Sequence, residues 1–300
     1  MKTITTSLVL LQALAVQGVR IIQSNDDGWA ESYIRTFNDA LIDAGHDVLL
    51  SAPADNQSGK GSLDSDPSNR TEPCEYDSCP ANSGPYGSDP SRADLNWVNS
   101  YPATSMRYGL DVFAPEVWGS GVKPDIAVTG PNVGSNLWVQ VPFSGTVGSA
   151  CYAVEEAGIP AIAFSGLSSG NVAFDATPVP ERSLVYAELA ATLTEAVIAS
   201  GKPYLPDGVF LNVNFPKVEG GCTAASDFSW VLSRINPGFA SPEDVDWCGS
   251  TRLPTETHVT GQDGCYISVS VGDASDKTTV NDDRQATVLE KLKDLLVCLP

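Results

Sequence analysis

Basic side chains are scarce in this 300-residue sequence, which has 17 lysines and arginines against 37 aspartates and glutamates. The net charge of -20 excludes a general binder of duplex nucleic acid, because such a protein needs a basic face to offset phosphate repulsion. The same charge argues against docking on anionic lipid. A small phosphorylated substrate is compatible with this composition only if a local positive charge, such as a metal ion, inverts the field.

Histidine and long apolar runs are also scarce. Two histidines and the absence of any C-x₂-C pair argue against a zinc cluster. Beyond the N-terminus no stretch approaches the 18 apolar residues of a membrane-spanning helix, so we expect no membrane association. Hydrophobic residues nevertheless make up 42% of the chain, which is enough for a substantial core.

The first 18 residues have the pattern of a secretory signal peptide. Lys2 supplies an early positive charge, an apolar run follows from residue 8 to residue 16, and Ala13-Leu14-Ala15 is a small-x-small cleavage signature. The alternative is a buried N-terminal strand or helix. We predict a secreted protein whose mature chain, residues 19–300, forms a single domain.

Cysteines and glycosylation sequons agree with secretion. We predict a local Cys74–Cys79 disulfide, and we expect Cys151 to be the odd one out, buried and reduced. Two sequons begin at Asn56 and Asn69, of which the second lies in a polar insert and is the better candidate. Four late cysteines allow three pairings, between which the sequence does not choose: Cys222, Cys248, Cys265 and Cys298.

Alternating strand and helix patterns predict an α/β protein. A strand at 19–24, an amphipathic helix at 29–44 and a strand at 47–52 form a βαβ unit, which implies a parallel sheet. Residues 53–100 are polar, and we expect a long insert loop, 63–100, without a core of its own. Further strand patterns lie at 125–130, 160–165, 209–215 and 257–272, and helix patterns at 105–117, 146–158, 181–200 and 286–299.

Together these elements predict a Rossmann-like, doubly wound and mostly parallel sheet with a long insert. Additional β and α elements are expected at its C-terminal end, in the region 220–300. In such sheets, ligands bind outside the carboxyl ends of the strands, so the loops that follow the strands are where chemistry is expected.

Oxygen-bearing side chains follow three of the predicted strands. Adjacent Asp26 and Asp27 come after the first strand, Ser58 after the second and Asn132 after the third. Carboxylate, hydroxyl and amide oxygens suit one Mg²⁺ or Mn²⁺ ion, with Ca²⁺ as an alternative, rather than zinc. Each motif alone is common in turns, and the prediction rests on their convergence at one sheet edge.

The segment before the helix predicted at 146–158 adds an anion site. Ser144, Gly145 and Thr146 stand at the helix N-terminus, where unpaired N–H groups and the helix dipole attract anions. The Asn136 amide is placed to donate to the same phosphate. A metal beside a helix N-terminus is a phosphoryl site, and it supplies the positive charge that the composition lacks.

Five motifs occur in order within residues 19–215: Ser24-Asn25-Asp26-Asp27-Gly28-Trp29, Gly45-His46-Asp47-Val48, Ala52-Pro53 with Gln57-Ser58-Gly59, Gly130-Pro131-Asn132-Val133-Gly134-Ser135-Asn136, and Ser144-Gly145-Thr146-Val147-Gly148. They resemble the SurE survival-protein family, in its secreted fungal acid phosphatase branch. The resemblance implies a metal-dependent 5′/3′-nucleotidase or acid phosphatase. It implies one divalent metal on Asp26, Asp27, Ser58 and Asn132, and substrate contacts from Asn25, Asn136, Ser144, Gly145 and Thr146.

The reaction implied by the resemblance is hydrolysis of phosphomonoesters such as nucleoside monophosphates. Asp26 and Asp27 are the catalytic candidates, and the nucleophile is either water activated by the metal or one of these carboxylates. Asp27 or a metal-bound water is the candidate acid for the leaving group. The family often dimerises by exchanging C-terminal elements, so a homodimer is an expectation, although the insert 63–100 and the segment after Gly220 depart from the bacterial pattern.

Two other functions fit parts of the sequence. Gly166-Leu167-Ser168-Ser169-Gly170 matches the G-x-S-x-G motif of serine esterases, with His258 downstream, but residues 171–180 lack the helical pattern that should follow. A non-catalytic secreted protein could instead use Asp26 and Asp27 as a structural Ca²⁺ site.

Aromatic residues near the predicted site loops suggest a contact for the leaving group. Trp29 and Trp138 flank these loops, and either indole could stack on a nucleobase.

Overall fold

Residues 18–239 and 241–300 are described by the computed structural model. The predicted signal peptide, residues 1–18, therefore lies outside the described part of the chain except for Gly18. The strands are β1 (Arg20–Ser24), β2 (Asp47–Pro53), β3 (Tyr86–Asp89), β4 (Arg92–Val98), β5 (Ile126–Val133), β6 (Ala161–Gly166), β7 (Val209–Phe215), β8 (Ser229–Ser233) and β9 (Tyr266–Asp273). The α-helices are α1 (Ser32–Asp43), α2 (Pro102–Tyr108), α3 (Ala114–Trp118), α4 (Gly145–Ala157), α5 (Glu181–Ala199), α6 (Glu256–Thr260) and α7 (Asp282–Leu292).

The strands form one sheet in the order β3-β4-β2-β1-β5-β6-β7-β9-β8. Neighbouring strands are parallel except for the pairs β3–β4 and β7–β9, which are antiparallel. The predicted doubly wound, mostly parallel sheet is thereby confirmed, together with its C-terminal additions. From β1 the chain moves to β2 on one side and later returns to β5 on the other, so a topological switch point lies between β1 and β5.

Helices cover both faces of the sheet because successive residues of a buried strand point in opposite directions. Ile21 of β1 packs in a core with Phe37 of α1 and Leu189 of α5. The next residue, Ile22, packs in a second core with Met106 of α2 and Val147 of α4. Burial on both faces explains why the central strands are almost continuously apolar.

The prediction of a loop for residues 63–100 is wrong, because this insert contains β3 and β4. Strand β4 extends the sheet by pairing in parallel with β2, with Leu95 opposite Leu50 and Trp97 opposite Ala52. Leu95 and Trp97 are buried, whereas the surrounding insert is rich in exposed polar residues. A strand near a sheet edge needs only a few apolar positions, so its pattern is lost in the polar background.

Several helix boundaries also differ from the predictions. The helix predicted at 29–44 begins at Ser32, because the Glu31 carboxylate caps it by accepting the backbone N–H of Tyr33. The helix predicted at 105–117 begins at Pro102 and contains a π-helical turn, Gly109–Phe113, between α2 and α3. The region 257–272 holds α6 before β9, the last helix ends at Leu292, and β8 was not predicted. Within the described residues, no helix is both long and apolar enough to cross a membrane.

Three disulfides resolve the pairing that the sequence leaves open. The local Cys74–Cys79 bond is present, and the four late cysteines pair as Cys222–Cys265 and Cys248–Cys298. Cys151 lies buried in α4 as a free thiol. The two late disulfides both lie within residues 222–298, so they cross-link the C-terminal region internally. Three disulfides fit an oxidising compartment.

Candidate active site

A cleft of about 600 Å³ opens at the switch point between β1 and β5. It gathers residues from the loop after β1, the loop after β2, the end of β5 and the segment that enters α4. The lining includes Asp26, Ser58, Asn132, Asn136 and Ser144. The structure therefore brings together the loops that the sequence places at the carboxyl ends of the strands.

Asp26 is buried at the N-terminus of α4. Its Oδ2 atom accepts the backbone N–H of Gly145 at 3.0 Å, and its Oδ1 atom accepts the Thr146 hydroxyl at 2.6 Å. Burial raises the pKa of Asp26 even though these hydrogen bonds favour the charged form. Only glycine fits at position 145, since an added Cβ would lie 2.7 Å from the Asp26 Cβ and 2.8 Å from the Pro102 Cγ.

Asp27 is buried beside Asp26 and is held by three donors. Its Oδ2 atom accepts the backbone N–H of Val133 at 2.7 Å, and its Oδ1 atom accepts the side-chain amides of Asn56 and Asn171, each at 3.2 Å. Burial and the neighbouring Asp26 charge raise the pKa of Asp27 well above its ordinary value. The pair therefore concentrates buried negative charge that a bound cation would relieve.

Neutral oxygens lie next to the two carboxylates. The Asn132 amide donates to the Gly134 carbonyl at 2.7 Å, and its Oδ1 atom lies 3.4 Å from the Thr146 hydroxyl. Ser58 is exposed on the cleft wall, and its backbone N–H donates to the Asn56 side chain at 2.9 Å. Both residues border the same cleft as Asp26, as expected for ligands of one ion.

The donor set fits a hard divalent cation. Two carboxylates, an amide oxygen and a hydroxyl give mixed-charge, all-oxygen coordination, which suits Mg²⁺, Mn²⁺ or Ca²⁺. In residues 18–239 and 241–300, no group of three or more His, Cys, Asp and Glu side chains is arranged to hold a metal. A cation at Asp26 and Asp27 would therefore depend on neutral oxygens, and this chemistry does not suit zinc.

Asn136 lies buried at the far side of the cleft. Its side-chain amide donates to the Ser165 hydroxyl at 2.7 Å. Its backbone is held by two asparagines of β7, because its N–H donates to Asn214 at 2.9 Å and its carbonyl accepts from Asn212 at 2.9 Å. The amide nitrogen carries a second hydrogen, which leaves capacity for a substrate oxygen.

The other predicted substrate contacts have partners within the protein. The Asn25 side chain donates to the Gly28 carbonyl and accepts the Gly28 N–H, so it shapes the turn that carries the aspartates. The Ser144 hydroxyl caps α4 by accepting the N–H of Val147 at 3.0 Å. Gly145 and Thr146 donate to Asp26, as described above. Direct phosphate contacts by these four residues stay a prediction.

The two tryptophans considered for base stacking have different environments. Trp29 is only 2% exposed and packs in the core beneath the Arg35 guanidinium, so the prediction that it could stack on a nucleobase is wrong. Trp138 is 48% exposed at the start of a short 3₁₀ segment beside the cleft. Exposed Val139 and Phe143 in the same segment line the cleft, and exposed Trp138 precedes Val139 in the chain; these three residues are called the apolar rim.

The esterase motif lacks the arrangement of a serine nucleophile. The buried Ser168 hydroxyl accepts from the Tyr186 hydroxyl at 2.8 Å and from the backbone N–H of Val218 at 3.1 Å. No helix follows the motif until Glu181. His258 is exposed on α6 and contacts Gln262 instead of Ser168. These contacts give Ser168 a packing role and do not favour the esterase reading.

Sequence reasoning missed the side chains that support the site from a distance. Asn56 and Asn171 hold Asp27, and Asn212 and Asn214 hold Asn136. Asn212 and Asn214 alternate along β7, which places both on one side of the strand. The sequence does mark this pair, because two polar residues that face the same way stand out in an otherwise apolar strand.

Fold and site together define a class, an α/β protein with a buried carboxylate pair beside a cleft at its switch point. Comparison with known proteins specifies the family, since a family model described as "Survival protein SurE" matches residues 21–235. The chain belongs to the SurE family. The resemblance seen in the sequence is thereby confirmed.

Named relatives are phosphomonoester hydrolases. An acid phosphatase from Yarrowia lipolytica is 32% identical over 281 residues, covering 84% of this chain and 78% of that protein. The 5′-nucleotidase SurE of Nostoc sp. is 32% identical over 206 residues, covering 67% of this chain and 65% of that protein. The 5′-nucleotidase SurE of Gloeobacter violaceus is 34% identical over 200 residues, covering 66% and 64% respectively. The chain thus spans slightly less than two thirds of these two nucleotidases.

A solved structure shares the fold. The crystal structure of the SurE protein from Aquifex aeolicus matches with a TM-score of 0.60 at 21% identity, covering 92% of this chain and all of that chain. At this identity the match supports the α/β architecture alone.

Proposed function

We propose that this protein is a secreted, divalent-metal-dependent phosphomonoesterase that acts on nucleoside monophosphates and other small phosphate esters. The observation that carries the proposal is the pair of adjacent buried carboxylates, Asp26 and Asp27, of which Asp26 lines the cleft at the switch point. Family membership and the names of the relatives support the reaction class. The pair also explains how a chain with a net charge of -20 accepts an anion, because a divalent cation held there offsets the two carboxylate charges.

Four residues would hold the cation: Asp26, Asp27, Ser58 and Asn132. Mg²⁺ or Mn²⁺ is the proposed ion, with Ca²⁺ as an alternative. When bound, the ion would neutralise charge on the phosphate and orient it for in-line displacement. The hydrogen bonds from Gly145 and Thr146 keep the Asp26 carboxylate in place before any ion or substrate arrives.

Asn136 is the proposed phosphate contact on the protein side. Its backbone is fixed by Asn212 and Asn214, so its side chain enters the cleft in one orientation. Hydrolysis breaks the bond between phosphorus and the ester oxygen, and the alcohol leaves with a proton while water supplies the new oxygen. Asn25, Ser144, Gly145 and Thr146 shape the turn and helix end around the reacting phosphate.

The apolar rim is the proposed contact for the leaving group. Trp138, Val139 and Phe143 present exposed apolar surface next to the polar cleft. A nucleobase or another aromatic leaving group would cover this surface, whereas a sugar phosphate would leave it in water. The rim therefore favours nucleoside monophosphates and aryl phosphates over small polar esters.

Secretion is part of the proposal. The signal-peptide pattern of residues 1–18 and the three disulfides both fit an oxidising, extracellular environment.

The test is phosphate release from AMP and from an aryl phosphate at pH 4–7, with EDTA and with Mg²⁺ or Mn²⁺ restored. We expect release that EDTA abolishes and metal restores. Asp26→Asn keeps the side-chain shape but removes its charge, and it should lower kcat/KM by ~10³-fold. The matched control is Asp43→Asn, at an exposed position at the end of α1, which should behave like the wild type.

Two other outcomes would favour the alternative functions. Hydrolysis of a short aryl ester without phosphate release would favour Ser168 as a nucleophile. Metal binding without turnover of any ester would favour a non-catalytic binding protein.

A further inference from the structure

A carboxyl group from the C-terminal region lies buried behind the cleft. Glu256 begins α6 and has no exposed surface. Its Oε1 atom accepts the Asn212 side-chain amide at 2.6 Å, and its Oε2 atom accepts the backbone N–H of Trp138 at 3.3 Å. One side chain thus contacts both a strand of the sheet and the segment that forms the rim of the cleft.

Asn212 carries the contact onward to Asn136. The same amide nitrogen that donates to Glu256 also donates to the Asn136 carbonyl at 2.9 Å. Asn214 completes the set by donating to that carbonyl at 3.2 Å and by accepting the Asn136 N–H. A continuous chain of hydrogen bonds therefore runs from Glu256 through Asn212 to the residue proposed to contact phosphate.

The backbone at Trp138 needs such an anchor. Its φ of 39° lies in the left-handed region, which is unfavourable for a non-glycine residue. The hydrogen bond to Glu256 holds the N–H of this residue in that conformation. Without the acceptor, the segment from Asn136 to Trp138 would lose one of its attachments to the body of the protein.

We infer that Glu256 is a positioning residue for phosphomonoester hydrolysis, which holds Asn136 through Asn212 and Trp138 directly. The inference rests on the proposed function. It assigns a role at the site to residue 256, which lies beyond the stretch 21–235 that matches the family model.

The environment of Glu256 agrees with a role in hydrogen bonding rather than in charge pairing. None of the ion pairs among the described residues includes Glu256. Burial raises the pKa of Glu256 to about 8, so the side chain is largely neutral at physiological pH. An apolar residue at this position would leave one N–H of the Asn212 amide and the Trp138 N–H without an acceptor.

The test combines Glu256 variants with a double-mutant cycle. Glu256→Gln keeps the volume but offers one acceptor oxygen in place of two, and Glu256→Ala offers none. Loss of a supporting hydrogen bond around a site commonly costs 10–100-fold, so we expect kcat/KM for AMP to fall about 10-fold in the first variant and about 100-fold in the second. If Glu256 acts through Asn136, Glu256→Gln in an Asn136→Ala background should cost less than about twofold further.

Asp244→Asn is the matched control. Asp244 is another buried carboxylate of the C-terminal region, but it pairs with Arg234 and bonds to Gln285, away from the cleft. It should lower the melting temperature while kcat/KM stays within about twofold of the wild-type value.

Three outcomes would count against the inference. Wild-type kinetics in Glu256→Gln would overturn the positioning role and leave the proposed function intact. Fully additive effects in the double-mutant cycle would overturn the action of Glu256 through Asn136. A wild-type protein without phosphomonoesterase activity would overturn both proposals.

Discussion

Asp26 occupies the N-terminus of α4, where the sequence predicts phosphate. In the structure, the Gly145 N–H and the Thr146 hydroxyl both donate to its carboxylate. The helix dipole therefore stabilises the Asp26 carboxylate, so no cationic side chain is needed to keep this group in place. In the proposed function, the cation and Asn136 therefore supply the main contacts to the substrate phosphate.

The close approach of Asp26 to the helix gives the first prediction at the residue scale. Gly145→Ala places a methyl group 2.7 Å from the Asp26 Cβ, so the carboxylate must shift away from its donors. We expect kcat/KM for AMP to fall at least ~10-fold, because small displacements of catalytic groups are costly. Gly221→Ala is the control, since an added Cβ there meets nothing within 4 Å. Equal kcat/KM values in the two variants would contradict this role of Gly145.

Glycosylation offers a second prediction at this scale. The Asn56 amide donates to Asp27, so a glycan on Asn56 would remove a hydrogen bond and crowd the cleft. Asn69 is exposed in the insert and has room for a glycan. Mass spectrometry of peptides from the protein expressed in a secreting eukaryotic host should find Asn69 modified and Asn56 bare. A glycan on Asn56 of the active enzyme would be inconsistent with this site.

The sequence predicts those site residues that lie close to the end of a strand. Asp26 and Ser58 each follow a strand closely and Asn132 lies at the end of β5, so the rule for parallel sheets is enough to place them at one edge. Asn171 and Glu256 lie in segments whose paths depend on loop geometry and on β7–β9 pairing. No local pattern marks such residues, because their partners are set by the order of strands in the folded sheet.

At the scale of elements, the insert hairpin β3–β4 is a structural part of the sheet. Trp97 of β4 is buried against β2 and β3, and an added Cβ on Gly87 would lie 2.8 Å from its ring. Trp97→Ala should therefore lower the free energy of unfolding by about 3 kcal/mol, measured by urea titration. Leu63→Ala, at a half-exposed position in the same insert, should change it by less than about 0.5 kcal/mol. If Trp97→Ala leaves the free energy of unfolding nearly unchanged, the insert behaves as the loop that the sequence predicts.

The element order was predictable where strands are buried on both faces, as for β6, since its unbroken apolar run from Ala161 to Phe164 marks the strand. The hairpin was not, because β3 has exposed residues at alternate positions and only the second half of β4 is buried, within a polar segment. The sequence analysis does not predict strand β8 either, for a related reason. Its neighbour β9 comes more than 30 residues later, so nothing local indicates the pair.

At the scale of the whole molecule, buried acids predict how stability depends on pH. Burial raises the pKa of Glu256 to about 8 and that of Glu31 to about 7, both above the ordinary glutamate value of 4.5. In the unfolded chain these groups lose their protons near their ordinary pKa, whereas the folded chain retains them until pH 7–8. Their contribution to stability is therefore greatest below the ordinary pKa of 4.5, and it is lost as pH rises from there through the folded-state pKa values of about 7 and about 8.

Urea unfolding in EDTA at pH 5 and pH 8 checks this prediction. The free energy of unfolding should be lower at pH 8 by about 2 kcal/mol or more, and the net charge of -20 acts in the same direction. Glu256→Gln cannot ionise, so the difference between the two pH values should shrink in that variant. A stability that rises from pH 5 to pH 8 would contradict the assignment of these groups as buried and protonated.

Binding of Mn²⁺ to the chelator-treated protein tests the central claim most directly, because it reports on the carboxylate pair independently of turnover. Calorimetric titration of the wild-type chain should show one ion per chain. Asp26→Asn and Asp27→Asn should each weaken binding by about 100-fold, while Asp43→Asn binds like the wild type. Unchanged Mn²⁺ affinity and stoichiometry in the Asp26 and Asp27 variants would show that the cation, and with it the proposed phosphoryl site, lies elsewhere.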